Sequence, residues 1–156
     1  MKTVRKTARQ MLAAKPRDVI SVGPDDTVLA ALRLMLERDV STVLVLQADG
    51  SLAGILSQLD YARKVELAGR RADATRACDI MTTQVICVTP EHTCEQCLAL
   101  MHTRRIRHLP VLESGRVIGV VSSHDVLEEL IMEDEHMIRA LELDLMHLTV
   151  DTGGCY

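Results

Sequence analysis

The chain of 156 residues has no Phe and no Trp, and Tyr61 and Tyr156 are its only two aromatic rings of that class. A core must therefore be built from Leu, Val, Ile, Met and Ala. The shortage of rings also argues against base stacking on single-stranded nucleic acid, which uses aromatic platforms. Positive charge is in deficit: 18 Lys and Arg against 22 Asp and Glu leave a net charge of −4. That balance suits neither nucleic acid nor an anionic membrane surface as a partner. No apolar run approaches the roughly 20 residues that span a bilayer. Catalytic signatures are missing as well, with no Gly-rich P-loop, no nucleophile elbow and no H-E-x-x-H. His124 adjoins Asp125, but neighbouring residues on a helix do not face each other. No catalytic residue is assigned, and the expectation is a protein that is not an enzyme.

The N-terminus, MKTVRKTARQMLAAK, has no acid before Asp18. A basic amphipathic start is compatible with a mitochondrial transit peptide. It also makes an ordinary helix with Val4, Ala8, Met11 and Leu12 on one face, and the lack of a Ser-rich stretch favours the helix. No apolar region of a secretory signal follows. Five cysteines form an odd count. Cys94 and Cys97 make a C-x-x-C with His92 and His102 nearby, yet no second ligand pair stands at zinc spacing. The expectation is small buried residues, no metal site, and reduced thiols of a cytoplasmic protein.

What the chain does have is a duplication. Shifted by 66 positions, VISVGPDDT (19–27) falls on VICVTPEHT (85–93), LRLMLER on LALMHTR, and VSTVLVL on IRHLPVL. One residue then drops from the second loop, and Gly50, Gly54, Ser57 and Asp60 meet Gly115, Gly119, Ser122 and Asp125. In this alignment Cys94 and Cys97 occupy the places of Val28 and Ala31. A period this long, present twice, marks a duplicated domain. Each half starts with a short β-branched run, Val19–Val22 or Val85–Val88, stopped by Pro24 or Pro90. A helix follows; Thr93 and Gln96 have capping-box spacing, and Val28, Ala31, Leu32 and Met35 make an apolar face. Two strands come next, 42–46 and 52–56, then 108–112 and 117–121, joined by Asp-Gly and Ser-Gly turns. A second helix begins at each Ser-x-x-Asp. The order β-α-β-β-α, twice, with N-terminal and C-terminal helices, predicts an α+β fold. The expected organisation is an N-terminal helix and first repeat over 1–68, a linker over 69–78, a second repeat over 79–133, and a C-terminal helix and tail over 134–156.

The unit resembles the cystathionine-β-synthase (CBS) domain. RIRHLPVL and GVVSSHD in the second half match the family's Arg-h-Leu-Pro-Val strand and Gly-h-h-[Ser/Thr]-x-x-Asp closely. DVSTVLVL and GILSQLD in the first half keep the frame but lose the Pro and both basic residues. The likeness covers about residues 15 to 132. It implies two repeats packed about a pseudo-twofold axis, with two facing clefts, no required cofactor, and an adenosine-containing regulatory ligand such as AMP, ADP or ATP.

The residues offer a matching chemistry. An Asp carboxylate accepts both hydroxyls of a ribose diol, and a Ser at a helix mouth beside free N–H groups suits a phosphate. By carry-over from the family, Ser57 and Asp60 serve one cleft, faced by Val85, Ile86 and Ile106 of the other repeat. Ser122 and Asp125 serve the second, faced by Val19, Ile20 and Val40. Arg107 and His108 stand where the family often aims a basic side chain at phosphates; the first repeat has Ser41 and Thr42 there, so its cleft is expected to carry less phosphate charge. Arg104 and Arg105 read as solvent-facing. The other reading of Ser-x-x-Asp is a plain N-cap that stabilises each helix by about 1 kcal/mol without any ligand; dimerisation would then be the function. In the tail, Ile138, Leu141, Leu145 and Leu148 form an apolar stripe with acids opposite, which the Gly153-Gly154 pair closes. With the family's habit of pairing, that stripe implies a homodimer, regulating a partner protein that the sequence does not name.

Overall fold

A computed structural model describes residues 5–14 and 18–151, without the side chains of 141 and 144–151. The order of elements is α1 (Ala8–Ala13), β1 (Ser21–Val22), α2 (Val28–Arg38), β2 (Thr42–Leu46), β3 (Leu52–Ser57), α3 (Gln58–Tyr61), α4 (Ala77–Ile80), α5 (Cys94–Arg104), β4 (His108–Glu113), β5 (Arg116–Ser122) and α6 (Ser123–Asp151). A π-helical stretch, Ala62–Glu66, continues α3. This is the mixed helix-and-strand architecture of two repeats. Strand β1 runs parallel to β2 and β2 antiparallel to β3, while β4 pairs antiparallel with β5.

The duplication extends to local geometry. Thr27 caps α2 by accepting from the Ala30 N–H, and Thr93 with Gln96 forms a full capping box on α5, as the spacing predicted. Both helices end on a left-handed residue, Asp39 (φ 52°) and Arg105 (φ 54°), 66 positions apart. Both hairpins carry an irregularity at the same place, between Val45 and Leu46 and between Val111 and Leu112. Loop length separates them. Ser114 and Gly115 both have positive φ (52° and 76°), the backbone of a two-residue type I′ turn. The two cores are built from equivalent positions: Val28, Ala31, Met35, Val43, Val45 and Leu56 in one, and Cys94, Cys97, Met101, Leu109, Val111 and Val121 in the other. Cys94 and Cys97 are thus core residues, 1% and 0% exposed.

Two strand expectations need correction. Residues 85–88 form no strand; only a parallel bridge joins Val88 to Val111. The cause is Pro110. In the first repeat the Leu44 N–H donates to the Ile20 carbonyl at 3.0 Å. Its equivalent, Pro110, has no N–H, so the ladder loses that rung. The run at 19–22 likewise shortens to Ser21–Val22.

The helices flanking the repeats are also exchanged. α1 packs into the core of the second repeat, with Ala8 and Met11 buried there, and α4 packs into the first through Ala77 and Ile80. The docking bonds correspond one to one. Ala8 N–H donates to His92 O and Arg9 N–H to Pro90 O; Ala77 N–H donates to Asp26 O and Cys78 N–H to Pro24 O. Each repeat thus closes on the segment that precedes the other. α1, grouped with the first repeat by its place in the sequence, thus packs on the second, and the 69–78 segment supplies core through Ala72 and Ala77. With Ala8 and Met11 buried, the N-terminal segment behaves as an amphipathic helix; Val4 lies outside the described residues.

The helices after the two Ser-x-x-Asp motifs differ in length, because the tail extends the second one. The first ends near Glu66 and the second runs for 29 residues.

Candidate functional site

The repeats meet where β2 and β4 begin. Thr42 Oγ1 lies 3.5 Å from His108 Nδ1, and the two residues are equivalent by the 66-position shift. The contact therefore marks the pseudo-twofold axis. Ser41, Thr42, Arg107 and His108 line both of the clefts that open on either side of it.

The larger cleft, of about 630 Å³, brings together Ser57 and Asp60 of the first repeat with Val85, Ile86 and Ile106 of the second. Ile55, Thr82, Gln84 and Arg105 join them. The smaller, of about 440 Å³, holds Ser122 with Ile20 and Val40, plus Asp18, Asp39, His124 and Leu12. Both volumes lie within the ~300–1,000 Å³ typical of small-molecule sites. Asp125 and Val19, expected in the smaller cleft, are not among its lining residues; Val19 lies in a separate shallow depression beside Leu34 and Arg38.

Each Ser-x-x-Asp forms a complete cap. Ser57 N–H and Oγ both donate to Asp60 Oδ2 at 2.9 Å, and Asp60 N–H donates back to Ser57 Oγ at 3.1 Å. In the second repeat Ser122 N–H and Oγ donate to Asp125 Oδ2 at 2.6 and 2.8 Å, with Asp125 N–H returning to Ser122 Oγ at 3.2 Å. The capping chemistry of the motif is therefore real in both halves. It leaves room for a second role at Asp60, because an ionised carboxylate has about four acceptor sites. Asp60 Oδ1 stands 3.0 Å from Lys64 Nζ, whose ammonium also donates to the Ile80 carbonyl at 2.8 Å. Lys64 thereby ties the Asp60 turn to α4.

Charge separates the clefts in a way the motifs do not disclose. The left-handed residue closing α5 is Arg105, which is exposed, as expected, and also lines the Asp60 cleft. The equivalent closing residue of α2 is Asp39, which lines the other cleft together with Asp18. Phosphate-attracting charge is therefore concentrated beside Asp60, with Arg105 and Arg107 against one carboxylate. The expectation of a poorly charged first-repeat cleft is reversed, because the basic strand start sits on the axis and serves both sides. The signal that could have found Arg105 is its alignment with Asp39 one position past the helix.

Among the described residues no cysteine lines either cleft. Burial, with the nearby Glu133 and Glu95 carboxylates, pushes the Cys94 thiol up to about 11, and burial also raises Cys97. Neutral thiols are poor nucleophiles and poor metal ligands. Among the described residues no group of three or more His, Cys, Asp or Glu side chains is placed to hold a metal ion, and no helix is long and apolar enough to cross a membrane.

Comparison with known proteins agrees with this architecture. The CBS domain matches residues 15–66 and 77–132. The CBS domain-containing protein CBSX3, mitochondrial, of Arabidopsis thaliana is 36% identical over 121 residues, covering 75% of this chain and 59% of its own length. The chain thus spans about three fifths of that relative. The structure of a protein with CBS domains from Burkholderia ambifaria MC40-6 superposes with a TM-score of 0.78 at 42% identity, covering 81% of this chain and 95% of its own. The CBS domain pair of protein MJ0100, in complex with 5′-methylthioadenosine and S-adenosyl-L-methionine, shares the fold at a TM-score of 0.71 and 21% identity, with 83% and 98% covered. With two matched repeats, their equivalent cores and their paired clefts, the chain belongs to the CBS domain family.

Proposed function

We propose that this protein is a non-enzymatic regulatory module that takes an adenine nucleotide in the Asp60 cleft. The observation that carries the reading is the composition of that one cleft. A capped carboxylate from one repeat shares the cleft with an apolar wall, Val85, Ile86 and Ile106, from the other, and Arg105 and Arg107 line it as well. A carboxylate suits a ribose diol, an apolar wall suits a purine face, and paired guanidiniums suit phosphates. The second cleft, with Asp18 and Asp39, favours a neutral or cationic adenosyl compound over a polyphosphate. That the same fold in protein MJ0100 is complexed with two adenosyl compounds is compatible with this assignment. Because both clefts are made jointly by the two repeats, a ligand that engages both walls alters their relative angle and so any surface a regulated partner reads. Four cysteines among the described residues are unpaired thiols, in keeping with a reducing compartment such as the cytoplasm. A second copy of the chain covers the exposed apolar side of α6.

Titration calorimetry of AMP, ADP and ATP into wild type and Asp60→Ala tests the ligand. Binding weakened about ten- to a hundredfold by the substitution supports the reading. Absence of heat from all three nucleotides in folded wild type ends it. The complete capping boxes carry the second reading, in which both motifs serve only as caps and the protein acts through association; unchanged binding constants in a merely destabilised Asp60→Ala would place any nucleotide elsewhere.

A further inference from the structure

The last helix is longer than its repeat needs. At ~1.5 Å per residue, its 29 residues reach ~43 Å. Contact with the second repeat is made by Val126, Glu129 and Leu130. From Asp134 through Ala140 every residue is exposed. Most of a helix's stability in a protein comes from packing its apolar face, so the exposed apolar side of this projecting segment calls for a partner.

Its sequence says what kind. Leu127, Ile131, Asp134, Ile138, Leu141, Leu145 and Leu148 follow one another at spacings of four and three in strict alternation. That is the seam of a heptad repeat, with Ile131, Ile138 and Leu145 at position a and Leu127, Asp134, Leu141 and Leu148 at position d. The seam residues whose side chains are described stand open: Leu127, Ile131 and Ile138 are 51%, 59% and 55% exposed. The side chains of Leu141, Leu145 and Leu148 lie outside the described residues and enter only by their place in the sequence.

We propose that α6 pairs with α6 of a second copy as a parallel two-stranded coiled coil along this seam. The inference rests on the second-copy part of the proposed function and specifies its interface. β-Branched residues at a with Leu at d favour two parallel strands. The flanking charges select the same orientation. The flanking e positions are Glu128, Glu135 and Glu142, and the g positions are Leu130, Met137 and Asp144. A parallel pair sets g beside e of the partner, matching Leu130 with Glu135 and Met137 with Glu142. An antiparallel pair would set the glutamate rows against each other, which like charge opposes. Asp134 is the charged residue of the seam; a parallel pair sets it in a d layer opposite its own counterpart, and that one like-charge contact lowers the stability of the pair.

Sedimentation equilibrium of the full chain tests the proposal, with circular dichroism to confirm folding of each variant. Wild type is expected to have twice its 17.3 kDa mass. Ile138→Asp, which puts a charge into the seam far from the repeat core, is expected to be a folded monomer. Asp134→Leu is expected to tighten the dimer by about tenfold or more. Ile131→Cys is expected to cross-link to its own counterpart on oxidation, because only a parallel pair brings that position against itself. A monomeric wild type overturns both the second-copy reading and the coil. A dimer of unchanged affinity in folded Ile138→Asp overturns the coil alone and moves the interface to another face. Dimerisation with no cross-link at position 131 overturns the parallel arrangement.

Discussion

The two repeats solve one architectural problem with different residues. Where the first places Leu44, a ladder donor, the second places Pro110, and a strand becomes a single bridge. Where the first closes its helix with Asp39, the second closes with Arg105, and the clefts acquire opposite charge. Where the first has Val28 and Ala31, the second has Cys94 and Cys97, with no change in core architecture. Substitutions in the interior of such a pair are nearly silent when volume is kept. Substitutions on the axis or at a helix end set what each cleft attracts. Duplication therefore conserves the frame and lets the sites diverge.

The largest expected effect comes from forcing the first repeat to copy the second at the strand. Leu44→Pro removes the bond to Ile20 O and leaves that carbonyl without its strand partner. It should destabilise the protein by about 2–4 kcal/mol in urea or thermal unfolding. An effect below about 1 kcal/mol would mean that Pro110 is not the reason residues 85–88 fail to form a strand.

The charge difference between the clefts can be broken next. Arg105→Asp makes the second repeat end its helix as the first does. The proposed nucleotide site should lose preference for ATP over adenosine by about tenfold or more in calorimetry. Asp125→Ala should leave nucleotide affinity at the Asp60 cleft within about twofold while lowering stability by about 1 kcal/mol, the usual cost of a lost cap.

The equivalent glycines offer a sharper, smaller test. A methyl on Gly54 would meet Met81 Sδ at 2.7 Å and the Thr82 carbonyl at 2.8 Å, and that carbonyl is bonded to the Ile55 N–H. The nearest atoms a methyl on Gly119 would meet are the end of the Leu12 side chain, at 2.7 Å. Gly54→Ala should therefore cost about 1–3 kcal/mol, and Gly119→Ala less, because a leucine tip can swing away while a bonded carbonyl cannot.

The smallest effect belongs to the cysteines. Cys94→Val with Cys97→Ala installs the first repeat's own residues and should change stability at pH 7 by no more than about 1 kcal/mol. The pH dependence should change more clearly. Because the Cys94 thiol is raised to about 11 in the folded protein, folding favours its protonated form. Stability is fully present below the ordinary thiol value of 9.0 and is lost as pH rises toward 11. The double variant should flatten that alkaline loss in thermal melts recorded between pH 8 and 11.

By itself the sequence determined the duplication, the order of elements, the core positions and the caps. All are set by spacing within a short stretch: a 66-residue shift, apolar residues at helical and strand periods, and Thr or Ser three residues ahead of the group that returns the bond. It also placed Ser57 and Asp60 opposite Val85, Ile86 and Ile106, through the family likeness, and the fold brings those five residues into one cleft. What only the tertiary structure decided was which pieces complete which core and which charges meet. α1 and α4 exchange partners because each has its docking carbonyls on the repeat distant in sequence. No local period encodes that exchange. Arg105 and Asp39 reach the clefts because a left-handed turn redirects the chain after each helix. Asp125 caps its helix without lining the cleft predicted for it. A motif specifies the bonds a residue makes to its neighbours three or four positions away. The direction in which its remaining surface points depends on the packing of segments tens of residues apart.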